Sequence, residues 1–333
     1  MPNNSDSSRS SKQPTGKATA GNMLSPDQQL SAAAVAWQTE DLMNAQPYPM
    51  PEVTEETVRN FIEAFQAPSA KGGSSTPGGE PGSDEGEGEQ EGPTVAGHAY
   101  PPPFNQHEVL VPYTTYPYCT IGKIFFNQNG GSWQASAASI GKNAIWTAGH
   151  CVHAGNNLAS GWSSNMVFIP GYKDGAAPLG QWSVRQMACR TVWYQHGNPG
   201  GLVEDMGGAI LNPLNGRSIS QVVGWLGFAW NFPRNQVWTS LGYPAEAPFT
   251  GKRMFQDTAA YANDGSVPGS PAPIGIGCSM TGGCSGGPWV LGFGSNNYVN
   301  GHNSYRPTNQ PLEMYPPYFN DGAHSLKVLV VGS

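Results

Sequence analysis

A serine set among glycines is the residue best suited to nucleophilic chemistry. It lies in the run 280–288, where Gly283 stands two positions before Ser285 and Gly286 and Gly287 follow it directly. Glycines allow positive φ angles, so backbone N–H groups in such a turn can point at a bound oxygen. An acyl-transfer nucleophile needs an exposed hydroxyl and an oxyanion hole of this kind. Taken alone, the run could also be a glycine-rich surface turn.

Two other segments supply a base and an acid. His150 follows an apolar run and three small residues, 147–149, and Asp205 directly precedes the apolar run 206–211. A hydroxyl nucleophile needs a base, and that base needs a carboxylate to orient its ring and stabilise its cation. We therefore predict His150 as the base and Asp205 as the acid, with Glu204 as the adjacent alternative. The order His, Asp, Ser is the one found in chymotrypsin-type enzymes.

These motifs carry a family resemblance. Residues 110–305 resemble the trypsin-like serine proteases of the chymotrypsin clan, especially the microbial branch that includes glutamyl endopeptidases. The matching pieces are TAGHC at His150, DMGGAIL at Asp205, GCSGGPW at Ser285, and the stretch 301–305. The resemblance implies an all-β fold of two six-stranded antiparallel β-barrels, with the catalytic cleft between them. It also implies that the backbone N–H groups of Gly283 and Ser285 form the oxyanion hole.

Cys284 raises two questions about the nucleophile loop. Related cysteine proteases place the cysteine directly before the Gly-Gly pair, and here Ser285 holds that position, so Ser285 is the predicted nucleophile. Trypsin-like zymogens carry an aspartate where this chain has Cys284, and that aspartate pairs with a freed N-terminal amine. A cysteine cannot supply the charge, so we predict that this switch is not used.

The cysteines could also form disulfides. A bridge between Cys278 and Cys284 would brace the nucleophile loop if their Cβ atoms approach to ~4 Å. Free thiols are the alternative, which a reducing compartment would favour. The pairing of Cys119, Cys151 and Cys189 stays open, and with five cysteines at least one is unpaired.

By the same resemblance, five residues are assigned to substrate binding: Ser279, Met280, Asn303, Ser304 and Tyr305. Ser279 stands where trypsin has its pocket aspartate, so specificity for lysine or arginine is not expected. Met280 would narrow the pocket. Glutamyl endopeptidases have a histidine at the position of Asn303, whereas here the histidine is its neighbour His302, which should face the other side of a strand. Glutamate specificity would therefore need a one-residue shift. Arg306 could meet an acidic substrate side chain, but we predict an ordinary surface residue.

Composition fits a turn-rich all-β domain. The 333 residues include 44 glycines and 30 prolines, and only 12% are charged. The net charge of −7 is concentrated in an acidic run at 80–91, most simply a solvated linker, and no basic stripe suggests nucleic acid. No stretch approaches the ~20 apolar residues of a membrane helix. We expect a monomer that acts on polypeptides without metal or cofactor.

The N-terminal third is predicted to be organised differently. We expect a disordered segment at 1–24, a helical pro-region at 25–67, a Gly/Ser/Pro/Glu linker at 68–97 and the protease domain at 98–333. The stretch 37–47 resembles a pattern in the pro-regions of bacterial and fungal trypsin-like proteases, and a partner-binding amphipathic segment is the alternative. No secretory signal is visible at the N-terminus, although the resemblance implies an extracellular protein.

Together these features predict a serine endopeptidase that forms an acyl-enzyme and is made as a proenzyme. The alternative is a non-catalytic binding protein on a protease scaffold, although no triad member is missing. Strand patterns are predicted at five places: 116–126, 135–147 as strand, turn and strand, 222–230, 237–243 and 298–301.

Overall fold

The computed structural model describes residues 18–20, 37–65 and 101–332. Of the segment 1–24, for which the sequence predicts disorder, it describes only a short strand. Residues 25–36 of the predicted helical pro-region and the linker 68–97 lie outside the described residues.

The strands are β1 (Ala18–Ala20), β2 (Gln46–Pro47), β3 (Glu52–Val53), β4 (Phe104–Glu108), β5 (Ile121–Gln128), β6 (Gly131–Ser139), β7 (Ala144–Ala148), β8 (Ser164–Pro170), β9 (Trp182–Arg190), β10 (Met206–Leu211), β11 (Gly227–Phe228), β12 (Val237–Gly242), β13 (Phe255–Asp264), β14 (Ile274–Gly277), β15 (Pro288–Leu291), β16 (Tyr298–His302), β17 (Arg306–Pro307) and β18 (Glu313–Met314). The helices are α1 (Thr39–Asn44), α2 (Glu55–Phe65), α3 (Gly149–Val152), α4 (Thr191–Gly200), α5 (Ile219–Val223) and α6 (Asp321–Val331).

The first half of the described domain is a closed antiparallel barrel of six strands. They follow the order β8, β9, β10, β7, β6 and β5, and β5 pairs with β8 to close the ring. Alternate residues of a strand face opposite sides, and both sides of β5 are buried. Ile124 and Phe126 lie in one packed cluster, while Phe125 lies in another and contacts Trp37 at 5.7 Å between ring centroids. The barrel therefore confirms a predominantly β fold.

The second half is a sheet with the order β11, β16, β15, β12, β13, β14 and β18, and β4 pairs with β13. Its pairings are antiparallel except for the parallel pair β11 and β16. Trp146 of the barrel and Leu241 of this sheet belong to one packed cluster, which joins the two halves. Within the described ranges, no helix has the length and apolar character needed to cross a membrane.

Most of the predicted strands agree with the structure, and one does not. The strands predicted at 135–147, 237–243 and 298–301 are confirmed by β6, β7, β12 and β16, while the first strand begins only at Ile121, after a 3-10 turn. The strand predicted at 222–230 is wrong. Ser218 and Gln221 form a capping box that starts α5, and Gly224 ends this helix with a φ of 73°. Only the two residues of β11 are extended in that stretch.

Residues 37–65 lie against both halves of the domain. Trp37 is buried and its indole N–H donates to the carbonyl of Asn165 at 2.9 Å. After α1, β2 pairs in parallel with β6, and β3 then pairs in parallel with β17. Thr54 caps α2 by accepting a hydrogen bond from the backbone N–H of Thr57 at 2.9 Å. This segment therefore runs from the barrel to the second sheet.

Candidate active site

The antiparallel pair β7 and β10 brings the predicted base and acid together. Met206, at the start of β10, lies opposite Ala148, at the end of β7. His150 follows β7 in the short helix α3, and Asp205 immediately precedes β10. Two residues 55 positions apart in the sequence thus meet at one end of the barrel.

A buried carboxylate fixes the orientation of the His150 ring. Asp205 Oδ2 lies 2.8 Å from His150 Nδ1, and Asp205 Oδ1 accepts the backbone N–H of His150 at 2.7 Å. The Ser304 hydroxyl donates to the same carboxylate at 2.5 Å. Because Nδ1 is held by Asp205, Nε2 is the ring nitrogen left for proton transfer. Glu204, the adjacent alternative acid, instead binds the guanidinium of Arg190 at 2.8 Å.

The Asp205 carboxylate makes the His150 ring a stronger base than a free imidazole. Burial opposes the charged form of His150, but the Asp205 carboxylate and its hydrogen bond outweigh that effect and raise the pKa. A base that accepts a proton from a hydroxyl becomes an imidazolium. Asp205 is placed to stabilise that cation.

Two polar atoms at the site have no partner. Among the described residues, neither His150 Nε2 nor Ser285 Oγ makes a hydrogen bond, although both are buried. An unsatisfied buried polar group costs about 1–3 kcal/mol of folding free energy, so such groups call for a functional explanation. A reacting molecule could supply the missing partner.

The glycines around Ser285 give the loop its shape. Gly283 has a φ of 93° and Gly286 a φ of 79°, a region that residues with a Cβ rarely adopt. A Cβ on Gly286 would also overlap the Thr147 hydroxyl. Within the described chain, the backbone N–H groups of Gly283 and Ser285 donate to no hydrogen bond. Both amides are therefore free to bind an oxyanion.

Ser136 of β6 holds this loop in place. Its backbone N–H donates to the carbonyl of Ser285 at 2.8 Å, and its hydroxyl donates to the carbonyl of Gly283 at 2.9 Å. Sequence reasoning missed Ser136, because one serine in an alanine-rich strand has no motif around it. Its contribution follows only from the fold, which lays β6 against the loop.

The His302 ring lies behind the acid. Its Nδ1 accepts the indole N–H of Trp146 at 3.2 Å, so Nε2 carries the proton and donates to the carbonyl of Asp205 at 2.8 Å. Burial lowers the pKa of His302 to about 4. Since the side chain is committed to Asp205 and Trp146, the one-residue shift that would make it a glutamate-binding group is not observed.

The remaining predicted substrate-binding residues are largely engaged in internal contacts. Asn303 is buried and accepts hydrogen bonds from Ser240 at 2.8 Å and from the indole of Trp289 at 2.8 Å. Tyr305 is also buried and stacks on Tyr315, with ring centroids 5.3 Å apart. These contacts fix the stretch 303–305 between β16 and β17.

Residues from β4 and β13 contact the segment 278–280, and no sequence motif indicates them. The Ser279 hydroxyl donates to the side-chain oxygen of Gln106, and Met280 is buried. The Asp257 carboxyl lies beside Cys278, and burial raises its pKa to about 6. Arg306 faces Glu52 and Glu246 at 3.7 and 3.8 Å.

The predicted disulfide between Cys278 and Cys284 is wrong, because all five cysteines are free and buried. The thiol of Cys278 interacts with the Asp257 carboxyl. Cys284 packs against Gly242, where an added Cβ would lie 3.1 Å from the Cys284 Cβ. Burial also raises the pKa of Cys284 well above its ordinary value, which favours the unreactive thiol over the nucleophilic thiolate.

No protein-family model matches the sequence, and no curated protein does. Among the described residues, no cluster of three or more His, Cys, Asp or Glu side chains could hold a metal ion. Solved structures do match. The protease Anisep from Arthrobacter nicotinovorans is 36% identical with a TM-score of 0.59, over 65% of this chain and 96% of that chain.

A thermostable serine protease, AL20, from an extremophilic microorganism is 35% identical, with a TM-score of 0.59, over 65% of this chain and 98% of that chain. A Glu endopeptidase crystallised with MPD shares the fold at 17% identity and a TM-score of 0.51, over 67% of this chain and 95% of that chain. The alignments thus cover nearly the full length of two proteases, and more than one third of the aligned residues are identical. The chain belongs to the trypsin-like serine proteases of the chymotrypsin clan.

Proposed function

We propose that the chain is a serine endopeptidase in which His150, Asp205 and Ser285 form the catalytic triad. The observation that carries the proposal is the 2.8 Å contact that fixes His150 Nδ1 on a buried carboxylate, with Nε2 and the Ser285 hydroxyl both unpaired. The two free amides at Gly283 and Ser285 give further support. This combination suits acyl transfer.

In the acylation step, Ser285 Oγ attacks the carbonyl carbon of the scissile peptide bond and its proton moves to His150 Nε2. The backbone N–H groups of Gly283 and Ser285 bind the oxyanion, and one such donor is worth about 3–4 kcal/mol of transition-state stabilisation. The C–N bond then breaks as the leaving amine takes the proton from Nε2. An ester of Ser285 remains.

Deacylation reverses these roles. A water molecule attacks the ester carbon and gives a proton to His150 Nε2, and the oxyanion again lies against the two amides. The C–O bond to Ser285 breaks, Oγ regains the proton from Nε2, and the carboxylic acid leaves. Asp205 keeps its contact with Nδ1 throughout and stabilises the imidazolium.

The proposal extends to the architecture of the enzyme and its substrate cleft. The second sheet forms a second barrel, and the cleft lies between the two halves. Peptide residues that precede the scissile bond lie along 304–306, and their terminal side chain enters a neutral pocket at Ser279 and Met280. Residues 25–67 are the pro-region of a proenzyme.

An active-site probe tests the proposal. A fluorophosphonate should label the full chain at Ser285, and the label should disappear in Ser285→Ala but survive in Cys284→Ala. The same assays apply to variants in which the contacts of residues 46–53 with the rest of the domain are weakened. If none of these proteins is labelled or cleaves a peptide library, the chain is a binding protein on a protease scaffold. Thiol-specific inactivation of an active Ser285→Ala variant would instead identify a cysteine nucleophile.

A further inference from the structure

Residues 46–53, which we call the strap, lie across the candidate site. At its start the strap pairs with β6, where the backbone N–H of Tyr48 donates to the carbonyl of Gln134 at 2.9 Å. At its end it pairs with β17. β6 contains Ser136, which binds the nucleophile loop, and β17 closely follows Ser304, which binds Asp205. The strap therefore crosses from one flank of the catalytic groups to the other.

Two side chains of the strap lie against the proposed catalytic and substrate-binding residues. The Tyr48 ring stacks on the His150 imidazole, with ring centroids 5.5 Å apart and planes inclined by 18°. Met50 is buried in the packed cluster that contains Met280 and Cys284, beside the proposed pocket. As a result, Ser285 is fully buried and His150 is only 2% exposed. A polypeptide cannot reach the nucleophile while the strap is in place.

The direction of the strap is opposite to that of a substrate. In the proposed function, the residues before the scissile bond lie along 304–306, so the residues after it lie on the other side of Ser285, where Ser136 of β6 contacts the nucleophile loop. The strap instead runs from β6 to β17, and its pairing with β17 is parallel, Glu52 with Arg306 and Val53 with Pro307. A reversed chain presents its peptide groups in the wrong order for attack by Ser285.

The strap is stiff and anchored at both ends. Pro47, Pro49 and Pro51 alternate along it, and each fixes φ near −65°, which lowers the entropy lost on binding. Before the strap, the carbonyl of Ala45 accepts the side-chain amide of Gln134 at 2.6 Å. Near its end, the carbonyl of Glu52 accepts the side-chain amide of Asn198 at 3.1 Å. A rigid segment of this kind can occupy a cleft without being cut.

We infer that the strap is a built-in competitive inhibitor, bound in the reverse direction of a substrate, with Met50 at the specificity pocket and Tyr48 over the base. The inference rests on the proposed function and adds its regulation. Activation then consists of displacing the strap. It also follows that the pocket accepts an unbranched apolar side chain.

The test uses full-length variants and two readouts: the rate of fluorophosphonate labelling at Ser285 and the cleavage of fluorogenic peptides. Met50→Glu and Tyr48→Ala should each label about tenfold faster than the wild type or more, because they raise the fraction of open cleft. Glu40→Gln is the control. Glu40 is an exposed residue of α1 in the same N-terminal segment, and its replacement should change the rate by less than about twofold. Pro49→Gly, at an exposed position, should give an intermediate rate without disturbing a buried contact.

The outcomes separate the two proposals. Equal labelling of Ser285 in the wild type, Met50→Glu, Tyr48→Ala and Pro49→Gly would overturn the inhibitory strap and leave the protease proposal intact. No labelling in any folded variant would refute both. Mass spectrometry of the incubated wild type should find the bonds within 46–53 intact, and self-cleavage after Tyr48 or Met50 would contradict the reversed direction.

Discussion

Replacing His302 with glutamine is expected to make the protein's stability less sensitive to acid. The structure requires a neutral ring, because Nδ1 accepts a hydrogen bond from Trp146 while Nε2 donates to Asp205. Burial accordingly lowers the pKa of His302 to about 4 from its ordinary value of 6.5. Below pH 6.5 the unfolded chain takes up a proton at this residue that the folded chain refuses.

The size of the effect follows from linkage. The pKa of His302 differs between the unfolded and folded states, and each pH unit of difference corresponds to about 1.36 kcal/mol. The free energy of unfolding therefore falls by about 3 kcal/mol as the pH falls from 6.5 to 4. This stabilisation is fully present above pH 6.5 and is lost as the pH falls towards the folded-state pKa. Glutamine cannot titrate, so the variant should lack this part of the slope.

Urea unfolding at pH 7, 5.5 and 4 measures the difference. His302→Gln will be less stable than the wild type at pH 7, because hydrogen bonds worth about 1–3 kcal/mol are lost. At pH 4 the difference in unfolding free energy between the two proteins should be smaller by about 3 kcal/mol. His107→Gln is the control, since His107 is exposed. A constant offset between His302→Gln and the wild type over this range would refute the reasoning.

Three further results are expected. Ser304→Ala removes the 2.5 Å hydrogen bond to Asp205 and should lower kcat/KM in a strap-loosened background by about one to two orders of magnitude, with a fall in Tm of about 2–10 °C. In the wild type, the free energy of unfolding should fall by about 3 kcal/mol as the pH rises from 4 to 6, and Asp257→Asn should abolish this fall. A carboxyl whose folded pKa is raised to about 6 contributes stability at low pH that disappears as it ionises. Gly286→Ala should destabilise the fold by about 2–5 kcal/mol and abolish labelling, while Gly294→Ala, with a similar positive φ but no atom near the new Cβ, should cost about 1–2 kcal/mol in a urea titration and label normally.

The sequence predicted the parts of the site that lie in local motifs. The runs around His150, Asp205 and Ser285 carry small residues, glycines and apolar strands in patterns that a single segment can reveal. The meeting of His150 and Asp205 at one end of the barrel depends on the pairing of β7 with β10. The free amides at Gly283 and Ser285 agree with the glycine pattern in the same loop.

Contacts between distant segments could not be predicted in this way. Ser136 and Asp257 act through residues more than 20 positions away, and neither has a distinctive neighbourhood in the sequence. The helix α5 was missed because apolar residues at 222–230 suit a strand, whereas the capping box at Ser218 decides the local conformation. The proposed disulfide failed because sequence spacing does not determine where the thiols of Cys278 and Cys284 point.

Cys284 and the strap together suggest how such an enzyme is kept inactive. In a zymogen switched by an ion pair, the oxyanion loop is ordered only after a new N-terminus binds. Here the loop already has its two amides free, and neutral hydrogen bonds from Ser136 hold it while residues 37–65 remain attached. The buried Cys284 offers no charge for a new terminus. In the proposed regulation, control therefore acts on access to Ser285 rather than on the shape of the oxyanion hole, which is the role that the strap geometry fits.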